Sequence, residues 1–376
     1  MSIYLDHNAT APVRPEAIEA MTRVLSTVGN PSSIHAAGRA AHAVVEQARS
    51  DIAALIGGPA STVVFTSGGT EANAIAIQST VAAGARRLII SAIEHESVIE
   101  TAKVTGAEVE ILPVTSGGVA DRAWLEARLA RWDAADGRPF VALMLANNET
   151  GIIQPVREVA ALVQAADGWL HVDAVQAAGK IPTDSRELGA DTLAISAHKL
   201  GGPQGVGALT FGPRATLSRI QHGGGQERGR RAGTENVAGI ASFAAAARAA
   251  MAQHIDNGPW RDATAERRKA LGAVVIGEGS PRLPNTRCVA MPGQASDRQV
   301  MSLDLGGILV SAGSACSSGK VKVSPILAAM GLSDIAGNAI RVSGGWNTTE
   351  ADWTAFEEAW IQIQQRIAAR ASASAA

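Results

Sequence analysis

Cysteine and lysine are scarce in this chain of 376 residues. It has two cysteines, Cys288 and Cys316, and only six of its 33 basic residues are lysine. A chain of this length buries enough apolar surface to fold without disulfides, so the low cysteine count excludes a disulfide-stapled scaffold and favours free thiols in a reducing compartment. Any chemistry that needs a primary amine has few candidate side chains.

Basic clusters, a secretory signal and membrane spans are also missing. The net charge is −2 without a block of Lys or Arg, which argues against nucleic-acid binding, because such binding relies on many phosphate contacts. The first residues lack a basic segment followed by an apolar one. The most apolar window, residues 238–252, contains Ser242 and Arg248 and falls short of the ~20 apolar residues of a membrane helix. We therefore expect a cytoplasmic protein that binds neither nucleic acid nor membranes.

Short apolar runs alternate with longer amphipathic segments through the first 250 residues. Strands are predicted at residues 62–66, 87–91, 109–112, 141–146, 169–173, 192–196 and 207–211. Helices are predicted from Glu71, at residues 122–132 and at residues 156–166. Continuous apolar strands joined by helices indicate an α/β fold with a mainly parallel sheet covered on both faces. Ligands of such sheets bind beyond the carboxyl ends of the strands.

The pattern changes near residue 250. A strand at residues 287–291, a pair of strands at 301–305 and 308–311, and a final helix at 351–368 are predicted there and indicate a smaller α+β domain. We predict a large domain at residues 13–257 and a small domain formed by residues 1–12 and 258–368. The Ala- and Ser-rich tail at 369–376 is expected to be disordered.

A glycine-rich loop with the sequence TSGGTEAN occupies residues 66–73 between a predicted strand and a helix. Its glycines let backbone N–H groups approach a ligand, and a helix N-terminus suits a phosphate. The sequence is neither a Walker motif nor Gly-x-Gly-x-x-Gly, so a simple helix cap remains an alternative.

Asp173 ends one predicted strand, and Lys199 follows the next. A carboxylate and a lysine at adjacent strand ends suit pyridoxal phosphate, because the lysine can bind the cofactor covalently while the acid pairs with its ring nitrogen. Gly201 and Gly202 are expected to open space behind the lysine. His95, after the strand at 87–91, could stack on the ring and move protons. The alternatives are a solvated surface lysine and an ordinary loop histidine.

Cys316 lies among small residues in a segment expected to be a mobile loop, next to Lys320 and Lys322. Nearby basic side chains can ionise an exposed thiol and make it nucleophilic, although a cysteine is more often a small buried hydrophobe. Cys288 occupies a predicted strand and is assigned a structural role.

Two further segments can bind anions or partners. Arg341 can hold a carboxylate with two parallel hydrogen bonds, and a surface ion pair is its alternative. Residues 222–236 are too polar and glycine-rich for a core and indicate a binding or interface segment.

In combination, these motifs resemble cysteine desulfurases of the NifS/IscS type, fold-type I pyridoxal-phosphate enzymes of the class V aminotransferase family. The matching segments, in order, are residues 4–10, 29–33, 66–71, 94–95, 147–151, 171–176, 196–199, 231–236, 314–318 and 348–350. The sequence departs from the family pattern at Ala11 and at Gly345 and Trp346, which bears on the subfamily and not on the reaction. The small-residue loop around Cys316 favours the NifS/IscS group over the SufS group.

The resemblance implies cofactor contacts at matching positions. Lys199 would hold pyridoxal phosphate covalently and His95 would stack on its ring. Asp173 would pair with the ring nitrogen and Gln176 with the ring oxygen. Further cofactor-binding positions are Gly69, Thr70, Asn148, Ser196, His198 and Thr234. Thr234 would come from the neighbouring subunit of a homodimer.

The resemblance also implies the reaction. Asn148 and Arg341 would bind the carboxylate of L-cysteine, and Cys316 would take the sulfur as a persulfide while L-alanine is released. The sulfur would pass to an acceptor such as an iron–sulfur scaffold, and Cys316 could transiently ligate an iron–sulfur cluster. A selenocysteine lyase, another fold-type I enzyme and a non-catalytic sulfur carrier are the alternative functions. The sequence leaves the physiological acceptor open.

Overall fold

The computed structural model describes residues 2–253, 255–313 and 323–375. Within these ranges the strands are β1 (Ile3–Tyr4), β2 (Val63–Thr66), β3 (Arg87–Ser91), β4 (Glu108–Leu112), β5 (Phe140–Ala142), β6 (Trp169–Asp173), β7 (Thr192–Ser196), β8 (Gly207–Phe211), β9 (Val274–Val275), β10 (Thr286–Ala290), β11 (Ile308–Leu309), β12 (Ser311–Ala312) and β13 (Ala339–Ser343). The helices are α1 (Pro15–Leu25), α2 (Ala36–Ile56), α3 (Gly69–Ala82), α4 (Glu96–Val104), α5 (Arg122–Leu129), α6 (Val156–Ala165), α7 (Val237–Ala252), α8 (Gly258–Lys269), α9 (Ser296–Leu305), α10 (Pro325–Ala329) and α11 (Glu350–Ala375).

A central sheet of seven strands has the order β2-β8-β7-β6-β5-β3-β4. Strand β8 runs antiparallel to both of its neighbours, and the other pairs are parallel. Strands β6 and β7 are buried along their whole length, because helices cover both faces of the sheet. This confirms the predicted mainly parallel α/β fold, and the bounds of β3, β6, β7 and β8 coincide with the predicted ones.

A second, antiparallel sheet has the order β12-β13-β10-β9. It packs with α9 and α11 around a core that includes Leu303, Trp353, Phe356 and Trp360. The predicted strand at residues 301–305 is wrong, because these residues form the end of α9. Leu303 is buried there whereas its neighbours Met301 and Leu305 are mostly exposed, and the helix buries one stripe rather than alternate residues.

The N-terminal segment joins this second sheet region. Strand β1 pairs in parallel with β11, and Asp6 forms an isolated bridge with Ser343 of β13. The predicted domain boundaries stay predictions. The last helix continues to Ala375, past the predicted end at residue 368 and through most of the tail that was expected to be disordered. Alanine is the strongest helix former, which accounts for this continuation.

No helix among the described residues is long and apolar enough to cross a membrane.

Candidate active site

A cavity of about 310 Å³ opens beyond the carboxyl ends of β6 and β7, at the N-terminus of α3. Parallel strands bring their carboxyl ends to one edge of the sheet, so residues distant in sequence meet there. The predicted site residues that line this cavity are Gly69, Thr70, His95, Asn148, Asp173, Gln176, Ser196, His198, Lys199 and Arg341.

Two predicted site residues are not in this group. Thr234 lines a different cavity, of about 110 Å³, together with Ser67 and Gly205. Cys316 lies outside the described residues. The other cysteine, Cys288, is completely buried in β10, and burial raises the pKa of its thiol to about 12. A buried thiol of that pKa stays protonated, in agreement with its predicted structural role.

Lys199 ends a single 3-10 turn that directly follows β7. Its Nζ donates to the backbone carbonyl of Asn8 at 2.6 Å and to that of Ala9 at 2.8 Å. The amine therefore lies against the N-terminal segment at the wall of the cavity, rather than in solvent. The space expected behind it at Gly201 is filled by Arg14, whose Cγ would lie 2.6 Å from a Cβ added to this glycine.

Asp173, the last residue of β6, is held by two donors. Its Oδ2 accepts from Nδ2 of Asn73 at 2.7 Å, and its Oδ1 accepts from the backbone N–H of Val175 at 2.9 Å. These bonds fix a carboxylate in the same cavity as Lys199, which is the pair that the sequence predicted for pyridoxal phosphate.

His95 caps the N-terminus of α4. Its Nδ1 accepts from the backbone N–H of Ser97 at 3.1 Å and lies 2.8 Å from the Ser97 hydroxyl. The imidazole is therefore both a helix cap and part of the cavity wall.

The N-terminus of α3 forms the anion-binding end of the cavity. The helix starts at Gly69, and its N-cap residue Gly68 makes no side-chain capping bond, so its first N–H groups are left for a ligand. Ser196 and His198 line the same cavity. Burial and the charge of Lys199 lower the pKa of His198 to about 4, so it stays neutral and can donate or accept a hydrogen bond.

Arg341 lies in the middle of β13 and is almost completely buried. Its Nη2 donates to Asp6 Oδ1 at 2.6 Å and its Nη1 to the backbone carbonyl of Asn148 at 3.1 Å. The alternative of a surface ion pair does not hold, because the pair with Asp6 holds the guanidinium at the cavity wall.

Glu149, next to Asn148, is a buried carboxyl group beside the site. Its Oε2 accepts from the Ser324 hydroxyl at 2.6 Å. Burial raises the pKa of Glu149 to about 7, against the opposing effects of Ser324 and Arg341.

Sequence reasoning missed several residues that build the site, namely Asn8, Asn73, Ser97, Glu149 and Lys180. The side chain of Asn8 accepts from Lys180 at 3.1 Å, and its backbone carbonyl accepts from Gln176 at 2.9 Å as well as from Lys199. Lys180 is fully buried, and its pKa is lowered to about 7 by burial and by the charges of Lys199 and Arg341. The scarcity of lysine could have drawn attention to it.

The described residues contain no group of three or more His, Cys, Asp or Glu side chains that could hold a metal ion. The predicted cluster ligand Cys316 is outside them.

A family model described as aminotransferase class-V matches residues 3–356 of the chain. The chain belongs to the aminotransferase class-V family. A cysteine desulfurase of Cereibacter sphaeroides is 40% identical over 368 residues, which cover 93% of this chain and 92% of that relative. Cysteine desulfurase IscS of Dictyoglomus turgidum is 39% identical over 364 residues, covering 93% and 91% respectively.

A solved structure supports the same family assignment. A NifS-like protein from Rickettsia africae superposes with a TM-score of 0.88 at 31% identity, covering 97% of this chain and all of that chain. Together the family model and these relatives confirm the prediction of a fold-type I, pyridoxal-phosphate-dependent cysteine desulfurase.

Proposed function

We propose that this chain converts L-cysteine to L-alanine, takes the sulfur onto Cys316 as a persulfide and passes it to an acceptor protein such as an iron–sulfur scaffold. The observation that carries the proposal is that Lys199 and Asp173, at the ends of neighbouring strands, share one cavity with Arg341. These are the three charged groups that a covalently bound pyridoxal phosphate and an amino-acid carboxylate require.

The residues of the cavity fit the cofactor. The uncapped N-terminus of α3 suits its phosphate, and Asp173 is an acceptor for its ring nitrogen. Lys199 supplies the amine for the covalent link, and Gln176 and His95 line the remaining wall. When bound, pyridoxal phosphate supplies an electron sink that stabilises negative charge at the substrate α-carbon.

The chain's own side chains bind the substrate, move its protons and accept its sulfur. Arg341, oriented by Asp6 and by the carbonyl of Asn148, binds the substrate carboxylate. With the cofactor bound, Lys199 Nζ would take the α-proton of the substrate, and His95 would exchange a proton with the substrate thiol. A thiolate at Cys316 attacks the substrate sulfur. The S–S bond forms as the Cβ–S bond breaks, and the bonding electrons stay with the carbon skeleton, which takes up protons and leaves as L-alanine.

The position of Thr234 supports a homodimer. Thr234 is exposed and lines a separate cavity instead of the one that contains Lys199. A contribution of this residue to cofactor binding would therefore come from a second copy of the chain.

Two pairs of variants test the proposal in the purified protein. Cys316→Ala should keep the visible absorbance of the bound cofactor and lose sulfide release from L-cysteine in the presence of a reductant, whereas Cys288→Ala should retain both. Lys199→Ala should lose the borohydride-reducible chromophore, and Lys103→Ala, which alters an exposed lysine, should keep it.

Several outcomes would contradict the proposal. Full sulfide release by Cys316→Ala would remove this thiol from the reaction, and a retained chromophore in Lys199→Ala would place the cofactor on another lysine. A colourless wild-type protein would favour a sulfur carrier. A preference for selenocysteine, or a requirement for a keto acid, would indicate a selenocysteine lyase or an aminotransferase.

A further inference from the structure

Asn73 is a polar side chain in an otherwise apolar stretch of α3. It is 1% exposed, and the buried residues around it in the helix are Ala72, Ile75, Ala76 and Ile77. A buried amide is costly unless all of its hydrogen-bonding groups are satisfied, and asparagine is a weak helix former. A small apolar residue would suit the helix better, so the contacts of Asn73 need an explanation.

The amide of Asn73 joins three side chains from two other elements. Its Nδ2 donates to Asp173 Oδ2 at 2.7 Å and to Ser97 Oγ at 3.0 Å. Its Oδ1 lies 3.0 Å from His171 Nε2. Asp173 and His171 belong to β6 and Ser97 to α4. Both hydrogens of the amide nitrogen and one lone pair of its oxygen are therefore used.

The carboxylate of Asp173 fixes the orientation of this amide. A carboxylate only accepts, so Nδ2 must face Asp173 and Oδ1 must face His171. His171 then carries its proton on Nε2, and its Nδ1 accepts from the Thr192 hydroxyl at 2.9 Å. Burial lowers the pKa of His171 to about 4, which keeps this imidazole neutral.

The same amide also sets the direction of the hydrogen bonds toward His95. The Ser97 hydroxyl accepts from Asn73, so its own hydrogen is directed to His95 Nδ1 at 2.8 Å. The backbone N–H of Ser97 points at this nitrogen as well. With two donors facing Nδ1, the proton of His95 in its neutral form lies on Nε2.

We propose that Asn73 is a positioning residue that orients the carboxylate of Asp173 and, through the Ser97 hydroxyl, adds to the backbone N–H of Ser97 a second donor that favours the Nε2-protonated form of His95. The roles of Asp173 and His95 in this statement rest on the function proposed above. One side chain in α3 thus controls the partner of the cofactor nitrogen and the proton position of the imidazole at the cavity wall.

Two variants separate the two arms of this network. Asn73→Leu removes the bonds to both Asp173 and Ser97, whereas Ser97→Ala breaks only the path to His95 and leaves the Asn73–Asp173 bond in place. The affinity of the apoprotein for pyridoxal phosphate, measured by fluorescence titration, reports the effect of the Asn73–Asp173 bond. We expect a tenfold or greater loss for Asn73→Leu and a change of less than twofold for Ser97→Ala.

Carbethoxylation of His95 in the apoprotein, followed by mass spectrometry, reports the effect of the path from Asn73 through Ser97 to His95. This reagent needs an unprotonated imidazole nitrogen, and in the wild-type chain Nδ1 is covered by Ser97 while Nε2 holds the proton. Asn73→Leu frees the Ser97 hydroxyl to rotate and Ser97→Ala removes it, so only the backbone N–H of residue 97 still faces Nδ1 as a fixed donor, and both variants should speed the modification of His95 severalfold. Exposed His222 serves as the internal control and should react at one rate in all three proteins.

The outcomes discriminate a positioning role from a structural one. If Asn73→Leu lowers the melting temperature but leaves cofactor affinity and the His95 modification rate unchanged, the proposal is overturned. Unchanged His95 reactivity in Ser97→Ala would likewise refute the His95 arm. Neither readout uses catalytic turnover, so a failure of the desulfurase proposal would appear separately, as absence of sulfide from L-cysteine.

Discussion

The buried carboxyl group of Glu149 should make the stability of this protein depend on pH in a predictable direction. Burial raises its pKa from 4.5 to about 7 in the folded chain. The folded state therefore holds this proton more tightly than the unfolded state does. The stabilisation that the bound proton provides is complete below about pH 4.5 and is lost as the pH rises through 7.

Replacing Glu149 by glutamine should remove this dependence. Glutamine keeps an oxygen that can accept from Ser324, which donates to Glu149 at 2.6 Å, but it does not ionise. A change in pKa from 4.5 to about 7 corresponds to about 3 kcal/mol, at about 1.4 kcal/mol for each tenfold change in proton affinity. Relative to wild type, Glu149→Gln should therefore gain up to about 3 kcal/mol of unfolding free energy between pH 5 and pH 8.

Urea unfolding at pH 5, 6.5 and 8 measures this difference, with the exposed Glu126→Gln as the control. Any fixed cost of the extra amide hydrogens is the same at every pH and cancels in the comparison. The reasoning fails if the difference between Glu149→Gln and wild type is constant from pH 5 to pH 8, or if it matches that of Glu126→Gln.

Three further predictions concern packing and reactivity. Glu227→Gln should lower the free energy of unfolding by about 3–5 kcal/mol, because it breaks the buried pair in which Arg49 donates to Glu227 at 2.6 and 3.0 Å. Glu19→Gln, in an exposed pair, should lower it by less than about 1 kcal/mol. Equal urea midpoints for the two variants would contradict this. Gly207→Ala should lower the melting temperature markedly, because a Cβ there would lie 2.6 Å from the Gly68 backbone. Gly212→Ala, with no atom nearer than 3.7 Å, should be tolerated, and similar calorimetric curves for both would refute the clash. Cys288 should resist iodoacetamide at pH 8 until the chain is unfolded, and rapid labelling seen by mass spectrometry in the folded protein would show that the burial is wrong.

Sequence reasoning located Asp173 and Lys199 because one ends a buried strand and the other closely follows the next, and a parallel sheet brings such positions to one edge. It failed where a short apolar run fits two periods, as in α9, whose residues 301–305 resembled a strand. It also could not find Asn73 or Asn8. Their contacts with Asp173 and Lys199 span 100 and 191 residues, and no local pattern encodes such pairings.

Sequence reasoning also did not predict that Arg14 fills the space beside Gly201, because this contact joins residues far apart in the sequence. Glycine at this position, with a φ of +94°, signals an unusual backbone, but the sequence does not reveal which distant side chain packs against it.

The contacts of the N-terminal segment also constrain when the site can form during synthesis. Residues 6–9 contain the carboxylate that pairs with Arg341 and the two backbone carbonyls that accept hydrogen bonds from Lys199. The backbone N–H of Asn8 donates to the Ser343 hydroxyl. The bond between Asp6 and Arg341 joins residues 335 positions apart. A nascent chain can therefore build the central sheet early, but its first residues must wait for β13 to leave the ribosome. The cavity reaches its final form only after nearly all of the described chain has been made.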